Sequence, residues 1–265
     1  MRVNTTKAKL AEGKVVFGGI VSGFSPDVVE LMGAIGYDFV FFDCEHGSIG
    51  LSELETLVRA AEAYAITPIV RVPDHSDGTI LRHLDRGVQG IIVPHVNTRA
   101  QAEAVVAAAR YYPEGHRGAG GGRAHGYGVS MGRAESSKRI NEELLVIPMC
   151  EETEAIENLD EILAVPGVDV IHVAASDLGQ SLGNPPMAEV RRVMGDVVQR
   201  ISVSGKHAGI GGNAATDAEG VADLIRAGAT FVTIATLGLL RLGADTFRSE
   251  VEAALALREV ADSEG

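Results

Sequence analysis

Residues 39–46 have the sequence FVFFDCEH, in which an apolar segment runs directly into acidic and imidazole side chains. An apolar segment without polar alternation is typical of a strand that is buried on both faces, as in a parallel sheet. Three further apolar segments end in the same way, at Arg71, at Glu151 and at residues 176–177. If these strands are parallel, their ends share one face of the molecule, and the four polar ends form one site.

Segments of this kind recur eight times, and each is followed by a pattern typical of a helix. The predicted strands are Val15–Val21, Phe39–Cys44, Thr67–Val72, Gly90–Val96, Leu144–Cys150, Val168–Ala174, His207–Gly211 and Phe231–Ala235. Eight strand–helix units in 265 residues predict an α/β fold, a (β/α)8 TIM barrel that forms a single domain over residues 1–265. An open doubly wound sheet also alternates strands and helices, but it usually has fewer strands.

Residues 111–143 interrupt this alternation. The segment has no apolar periodicity and is rich in glycine, so it is predicted to be a long loop. Because it follows the fourth strand and its helix, it should return to the amino-terminal rim of the strands unless it folds across the barrel. Covering a neighbouring subunit's site and forming a plain surface loop are both compatible with this sequence.

The composition excludes several classes of partner. A net charge of −13 argues against binding to nucleic acid or to an anionic membrane. The first residues lack the apolar core of a signal peptide, and no apolar stretch is long enough to span a membrane. Two cysteines provide no disulfide framework. We therefore predict a cytoplasmic protein that acts on small molecules.

Two carboxylates follow neighbouring predicted strands, Glu151 after the fifth and Asp177 after the sixth. Carboxylates at a shared rim repel each other unless a cation joins them. Oxygen ligands suit a hard divalent ion such as Mg²⁺ or Mn²⁺, and two protein ligands leave positions for water or a chelating substrate. Each residue could alternatively cap the helix that follows it.

Three more side chains complete the predicted site. Arg71 suits the binding of a carboxylate; the alternative is an ion pair with Glu45 or another acid, and both roles can hold at once. His46 is a candidate general base, which Asp43 or Asp85 could orient. His95 is predicted near the same mouth, whereas His172 lies inside a strand and is predicted to belong to the core.

The sequence lacks the residue patterns that Schiff-base catalysis and dinucleotide binding require. The lysines lie at positions 7, 9, 14, 138 and 206, and none is at a predicted strand end, which argues against a Schiff-base enzyme. A metal would then have to act as the electron sink. Residues 209–214 match G-x-G-x-x-A, but they come too late in the chain for a dinucleotide-binding half and are interpreted as part of the barrel rim.

The chain resembles the metal-dependent class II pyruvate aldolases of the HpcH/HpaI group over nearly its whole length. The resemblance rests on GYDF at 36–39, DCEH at 43–46, VRVP at 70–73, GIIVP at 90–94, YPEGHRG at 112–118, CE at 150–151 and SDLG at 176–179. It implies a barrel enzyme that cleaves a 4-hydroxy-2-oxo acid reversibly into pyruvate and an aldehyde. It also implies a homo-oligomer, usually a hexamer built from dimers that exchange their last helix.

The resemblance also implies residue roles. Glu151 and Asp177 would hold a divalent metal ion (Mg²⁺, Mn²⁺ or Co²⁺), and Arg71 would bind the keto oxygen and steady the enolate. His46, oriented by an acid such as Asp43, would assist proton transfer. Backbone near Ala175 and Ser176 would receive the pyruvate carboxylate.

Two departures from the family pattern concern substrate choice. Residues 174–177 read AASD where members often have GPAD, and residues 211–213 read GGN where members often place a bulkier apolar residue. Gly212 is therefore expected to widen the acceptor side of the pocket. Two other functions stay open: a lyase of a CoA thioester, similar to the citrate lyase β subunit, and a barrel that binds a small acid without turnover.

Overall fold

The computed structural model describes residues 2–263, with side chains to residue 256, and its strands form a closed barrel. The strands are β1 (Val16–Val21), β2 (Phe39–Asp43), β3 (Thr67–Arg71), β4 (Gly90–Val93), β5 (Leu145–Cys150), β6 (Val170–Ala174), β7 (His207–Gly211) and β8 (Ala229–Ala235). Each strand pairs in parallel with its sequence neighbours, and β8 closes the barrel against β1. This confirms the predicted (β/α)8 barrel.

Helices surround the barrel and connect its strands. They are α1 (Thr5–Ala11), α2 (Pro26–Ala34), α3 (Leu51–Ala63), α4 (Asp77–Leu84), α5 (Arg99–Ala109), α6 (Arg133–Glu143), α7 (Thr153–Glu157), α8 (Leu159–Leu163), α9 (Ala175–Ser181), α10 (Met187–Val203), α11 (Ala218–Arg226) and α12 (Thr236–Ser263). Within residues 2–263, none of these helices is long and apolar enough to cross a membrane.

The barrel interior is packed with side chains. Phe39 and Phe231 stack with their ring centroids 4.1 Å apart, and a Cβ atom at position 18 would come within 2.0 Å of the Phe39 ring. Gly18 is therefore required by this packing. His172 lies in the same interior, as predicted, and burial together with the charge of Arg71 lowers its pKa to about 3.

The amino-terminal end of the barrel is closed by α1, which the sequence analysis did not predict. Its N-cap Asn4 donates from its side chain to the carbonyl groups of Gln89 (2.9 Å) and Glu143 (2.8 Å). Thr6 in the helix donates to the hydroxyl of Thr67 at 2.8 Å. The opposite, carboxyl-terminal end is left for the site.

The glycine-rich segment is more ordered than predicted. It contains a 3₁₀ turn over Arg123–Gly128, and its last third forms α6. The segment lies along the amino-terminal side of the barrel, where buried Arg117 pairs with Asp85 at 2.9 Å and Arg123 pairs with Glu62.

This placement corrects the prediction for Asp85. The residue caps the carboxyl end of α4, a helix that runs from the catalytic rim back to the opposite rim. Within one chain, Asp85 is therefore remote from His46 and cannot orient it; its side chain instead anchors Arg117.

Candidate active site

Arg71 joins the ends of β2 and β3 at the carboxyl-terminal mouth. The register of the two strands places Asp43 directly beside Arg71. Arg71 donates from Nε to Asp43 Oδ1 (3.0 Å) and from Nη2 to Oδ2 (2.8 Å), and its Nη1 lies 3.1 Å from Glu45 Oε2. Such a two-point pair fixes the guanidinium plane, because both partners are planar and buried.

Asp43 also organises the turn that follows β2. Its Oδ1 accepts hydrogen bonds from the backbone N–H groups of Glu45 (3.2 Å) and His46 (3.1 Å). Burial raises the pKa of Asp43, but the hydrogen bonds and charge of Arg71, together with these backbone donors, outweigh it and hold the pKa below its usual range. The carboxylate is therefore charged at neutral pH.

His46 stands at the mouth with its imidazole exposed. The predicted contact with Asp43 exists, but it reaches the backbone of His46 and leaves the ring free. The nearest acid to the ring is Glu45, at 3.9 Å from Nε2. Asp43 thus positions the turn that carries His46, and the prediction that it orients the imidazole directly is corrected.

Glu151 and Asp177 are brought together on the other side of the mouth. Glu151 directly follows β5 and is 2% exposed, while Asp177 lies half-buried in the first turn of α9. Burial raises the pKa of Glu151, as do the charges of Asp177 and Glu45, although His95 opposes this. Among the side chains of residues 2–256, no lysine or arginine pairs with either carboxylate.

His95 reaches the same mouth from the loop after β4. Its backbone N–H donates to Glu151 Oε1 at 2.9 Å. Its ring Nδ1 lies 2.7 Å from Glu152 Oε1, and its Nε2 lies 3.6 Å from Glu45 Oε1. Burial lowers the pKa of His95, but the hydrogen bond to Glu152 and the three surrounding carboxylates raise it above its usual range.

Gly212 faces the start of α9 beyond the end of β7. Its φ of +75° lies in the left-handed region that favours glycine. A Cβ atom there would lie 3.1 Å from the backbone nitrogen of Ala175 and 3.2 Å from that of Ser176. The missing side chain leaves these two amides uncovered on the side of the mouth.

Two acids at the mouth have more contacts than the sequence pattern predicted. Glu45 was considered only as a partner of Arg71, yet it lies between Arg71, His46 and His95. Glu152 was not considered, although it is hydrogen-bonded by the side chains of His95 and Asn97. The signal for Glu45 was present, since it belongs to the quoted segment 39–46; Glu152 looked like one of many surface acids.

Known proteins resemble this chain in sequence. Residues 17–241 match the family model described as HpcH/HpaI aldolase/citrate lyase. The 4-hydroxy-2-oxovalerate aldolase of Novosphingobium aromaticivorans is 37% identical over 212 residues, which cover 78% of this chain and 80% of that protein. The 2-keto-3-deoxy-L-rhamnonate aldolase of Escherichia coli strain K12 is 35% identical over 210 residues, 78% of each chain.

A solved structure agrees with these relatives. The HpcH/HpaI aldolase from Desulfitobacterium hafniense DCB-2 superposes with a TM-score of 0.85 at 27% identity, covering 93% of this chain and 96% of that one. These similarities confirm the predicted resemblance, the barrel fold and the class of carbon–carbon lyase. The chain belongs to the HpcH/HpaI aldolase/citrate lyase family.

Proposed function

We propose that the protein is a metal-dependent aldolase that cleaves a 4-hydroxy-2-oxo acid into pyruvate and an aldehyde, and that catalyses the reverse addition. The observation that carries this proposal is the buried carboxylate of Glu151, which lies near Asp177 and has no lysine or arginine partner among the described side chains. His95 lies 3.5 Å from Glu151, but it is shared with Glu152 and Glu45, so the buried carboxylate has no positive charge of its own and a bound cation is the simplest compensation.

The donor set fits a hard divalent ion. Glu151 and Asp177 offer only oxygen atoms, the ligands that suit Mg²⁺ and Mn²⁺. Within residues 2–256, no three histidine, cysteine or acidic side chains converge into a closed metal cage, so substrate oxygens would have room to bind. When bound, the ion would supply Lewis-acid polarisation of the keto oxygen.

Arg71 is suited to the charge that develops during the reaction. A guanidinium group has five N–H donors, and the pairs with Asp43 and Glu45 leave one donor on each terminal nitrogen. Those donors can meet the oxygen on carbon 2 of the substrate. Since Asp43 already holds the group in place, no reorganisation is needed as negative charge develops there.

The bond changes assign a role to His46. In the cleavage direction, the hydroxyl on carbon 4 loses its proton and the bond between carbons 3 and 4 breaks. The electron pair of the broken bond passes into the enolate of pyruvate. Carbon 3 of this enolate then takes up a proton to give pyruvate. We propose that the exposed imidazole of His46, beside Glu45, exchanges these protons.

The backbone at Ala175 and Ser176 is proposed to receive the substrate carboxylate. Their N–H groups are left uncovered by Gly212 and lie beside Asp177 in the first turn of α9. Beyond Gly212, the loop after β7 and the start of α12 enclose a cavity of about 470 Å³ that includes Asn213, Ala215 and Arg241. We infer that this open side admits the aldehyde.

A coupled assay of pyruvate release tests the function. The metal-free protein would be mixed with 4-hydroxy-2-oxovalerate or 2-keto-3-deoxy-L-rhamnonate, and Mg²⁺, Mn²⁺ or Co²⁺ would be added separately. We expect pyruvate only when a divalent ion is present, and none with Glu151→Gln. Full activity in excess chelator would contradict the role of the ion, and a positive assay with a CoA thioester alone would favour the citrate lyase reading.

We also infer that the chain assembles into a homo-oligomer through α12. The helix exposes large apolar side chains along its length, among them Leu237, Leu240 and Phe247, each about 70% exposed. Near the first turn of α12, the outer surface of β8 and α11 has an apolar cavity of about 320 Å³ that is lined in part by Phe17 and Ile225. A second copy's helix would cover such a surface.

A hexamer and a cytoplasmic location remain predictions.

A further inference from the structure

Two adjacent carboxylates follow β5, and they differ in their surroundings. Glu151 is buried in the mouth, whereas the Glu152 side chain is 35% exposed. Glu152 is nevertheless not free in solvent. Its Oε1 lies 2.7 Å from His95 Nδ1, and its Oε2 accepts a hydrogen bond of 2.7 Å from the Asn97 side chain.

Both partners of Glu152 come from one short and well-anchored loop. The backbone N–H groups of Asn97 and Thr98 donate to the Gln101 side chain at the start of α5. The Asn97 carbonyl in turn accepts from the side chain of Asn158 at 2.9 Å. The loop therefore contacts both carboxylate oxygens of Glu152, one through His95 and the other through Asn97.

His95 contacts both carboxylates, each with a different part of the residue. Its backbone N–H donates to Glu151, and its ring nitrogen Nδ1 lies 2.7 Å from Glu152 and 3.5 Å from Glu151. The same imidazole nitrogen therefore lies close to both carboxylates. The φ angle of His95 is +56°, a left-handed conformation that is uncommon outside glycine, although histidine is among the residues that adopt it more often. Such a conformation persists where the surrounding structure imposes it.

This arrangement matters because the proposed ion site is sparsely coordinated. With two protein ligands, a divalent ion keeps several positions open for water and substrate. A third carboxylate on a flexible side chain next to Glu151 would compete for those positions, and it would bind more strongly than a neutral keto oxygen. Glu152 is close enough to Glu151 for this competition, since His95 Nδ1 lies 3.5 Å from Glu151 Oε1 and 2.7 Å from Glu152 Oε1.

We propose that His95 is a positioning residue that holds Glu152 out of the ion site and thereby reserves open coordination positions for the 2-oxo acid. The inference rests on the proposed function, since it concerns the ion that Glu151 and Asp177 would bind. Its two parts are separable: the backbone of His95 supports Glu151, and the imidazole restrains Glu152.

Four variants separate these parts. His95→Gly keeps the backbone N–H and accommodates the left-handed conformation, but it removes the imidazole. His95→Asn tolerates the same conformation and retains a side-chain donor. Glu152→Ala removes the competitor, and the double variant His95→Gly/Glu152→Ala removes both imidazole and competitor. Melting temperature and gel filtration would confirm that each variant is folded.

The test measures binding rather than turnover. Metal-free protein would be titrated with MnCl₂ by calorimetry, and the Mn²⁺-saturated protein would then be titrated with pyruvate. For His95→Gly we expect Mn²⁺ affinity to be equal to that of the wild type or higher, with pyruvate affinity at least tenfold lower. The double variant should recover pyruvate affinity to within threefold of Glu152→Ala, and His95→Asn should stay within threefold of the wild type.

Two results would overturn the inference. If His95→Gly weakens Mn²⁺ binding and the double variant does not recover, the imidazole merely supports the structure of the site. If pyruvate affinity is unchanged in His95→Gly, Glu152 does not compete. The proposed function is tested separately by Glu151→Gln, because Mn²⁺ binding that survives this change would show that the ion lies elsewhere, whatever His95 does.

Discussion

Arg71 shows how one side chain can be committed to structure and still be available for chemistry. Its pairs with Asp43 and Glu45 use three of the five N–H donors of the guanidinium group and leave two. Lysine would keep the charge but could not span Asp43 at two points while donating to a substrate oxygen. We expect Arg71→Lys to slow deuterium uptake into the methyl group of pyruvate by about 10²–10³-fold.

A matched substitution provides the control for Arg71. Arg192 on α10 is exposed and pairs only with its helix neighbour Asp196 among the described side chains. Arg192→Lys should leave the exchange rate within threefold of the wild type. An Arg71→Lys protein that exchanges as fast as this control would remove Arg71 from the reaction.

Glu151 leads to a prediction about stability at the residue scale. Because its folded-state pKa is raised, its ionisation opposes folding of the metal-free protein at neutral pH. The associated stability is present below the unfolded pKa and is lost as pH rises through the folded pKa. Glu151→Gln should therefore raise the melting temperature of the metal-free protein at pH 7, and a gain of about 1 kcal/mol would correspond to roughly 2–4 °C.

The gain in melting temperature from Glu151→Gln should become smaller as the pH is lowered toward 4. At low pH the wild-type Glu151 becomes protonated, and it is then neutral like glutamine. Added Mn²⁺ should reverse the order, stabilising the wild type and leaving the variant unchanged. Thermal denaturation at several pH values, with and without MnCl₂, measures both effects. A variant that is less stable than the wild type under all conditions would contradict this view of Glu151.

At the scale of an element, the turn after β2 depends on Gly47. A Cβ atom at this position would lie 2.1 Å from the carbonyl oxygen of Asp43 and 2.6 Å from that of Ser22. Both contacts are with backbone, so the turn that carries Glu45 and His46 would have to shift. We expect Gly47→Ala to destabilise the protein by about 1–3 kcal/mol and to reduce the rate of cleavage more than the affinity for Mn²⁺.

Gly195 in the middle of α10 offers the corresponding control. A Cβ atom there meets nothing within 4 Å, so Gly195→Ala should stabilise the protein by about 0.5–1 kcal/mol through helix propensity. Urea denaturation of both variants gives the comparison. Equal effects of the two substitutions would mean that the turn tolerates the extra carbon atom.

The strands were predictable from the sequence because both of their faces are buried, so that each strand is a continuous apolar run. The helices that were not predicted lack such an apolar pattern, or begin where a strand pattern hides their start. Helix α1 is short and polar, and it is held by side-chain hydrogen bonds of Asn4 and Thr6 that no periodicity reveals. Helix α6 is largely polar and α9 begins directly at the end of β6, which hides its start.

At the scale of the whole molecule, the barrel explains how much of the site could be foreseen. Strand order alone places Arg71, Glu151 and Asp177 at one mouth. Within one chain, Asp85 lies away from this mouth for a topological reason, since α4 returns its end to the opposite rim. The position of Glu152 depends on the left-handed backbone of His95, which could not be inferred from residue types.

The assembly is a further prediction at this scale. If α12 packs against another copy, light scattering should give a native mass that is a multiple of 27.8 kDa, and six copies are expected. Phe247→Glu would place a charge in that interface and should lower the mass. Glu250→Gln, on the same helix, should not. A wild-type protein that is monomeric at micromolar concentration would exclude this packing.

A metal-dependent enolate site can be tested by the exchange of the methyl protons of pyruvate in heavy water, followed by NMR in the absence of any aldehyde. Exchange is expected with wild-type protein and Mg²⁺, and it should be lost with chelator or with Asp177→Asn. It should recover when the chelated wild type receives fresh divalent ion. Exchange that continues unchanged in chelator would contradict a metal-dependent enolate site at Glu151 and Asp177.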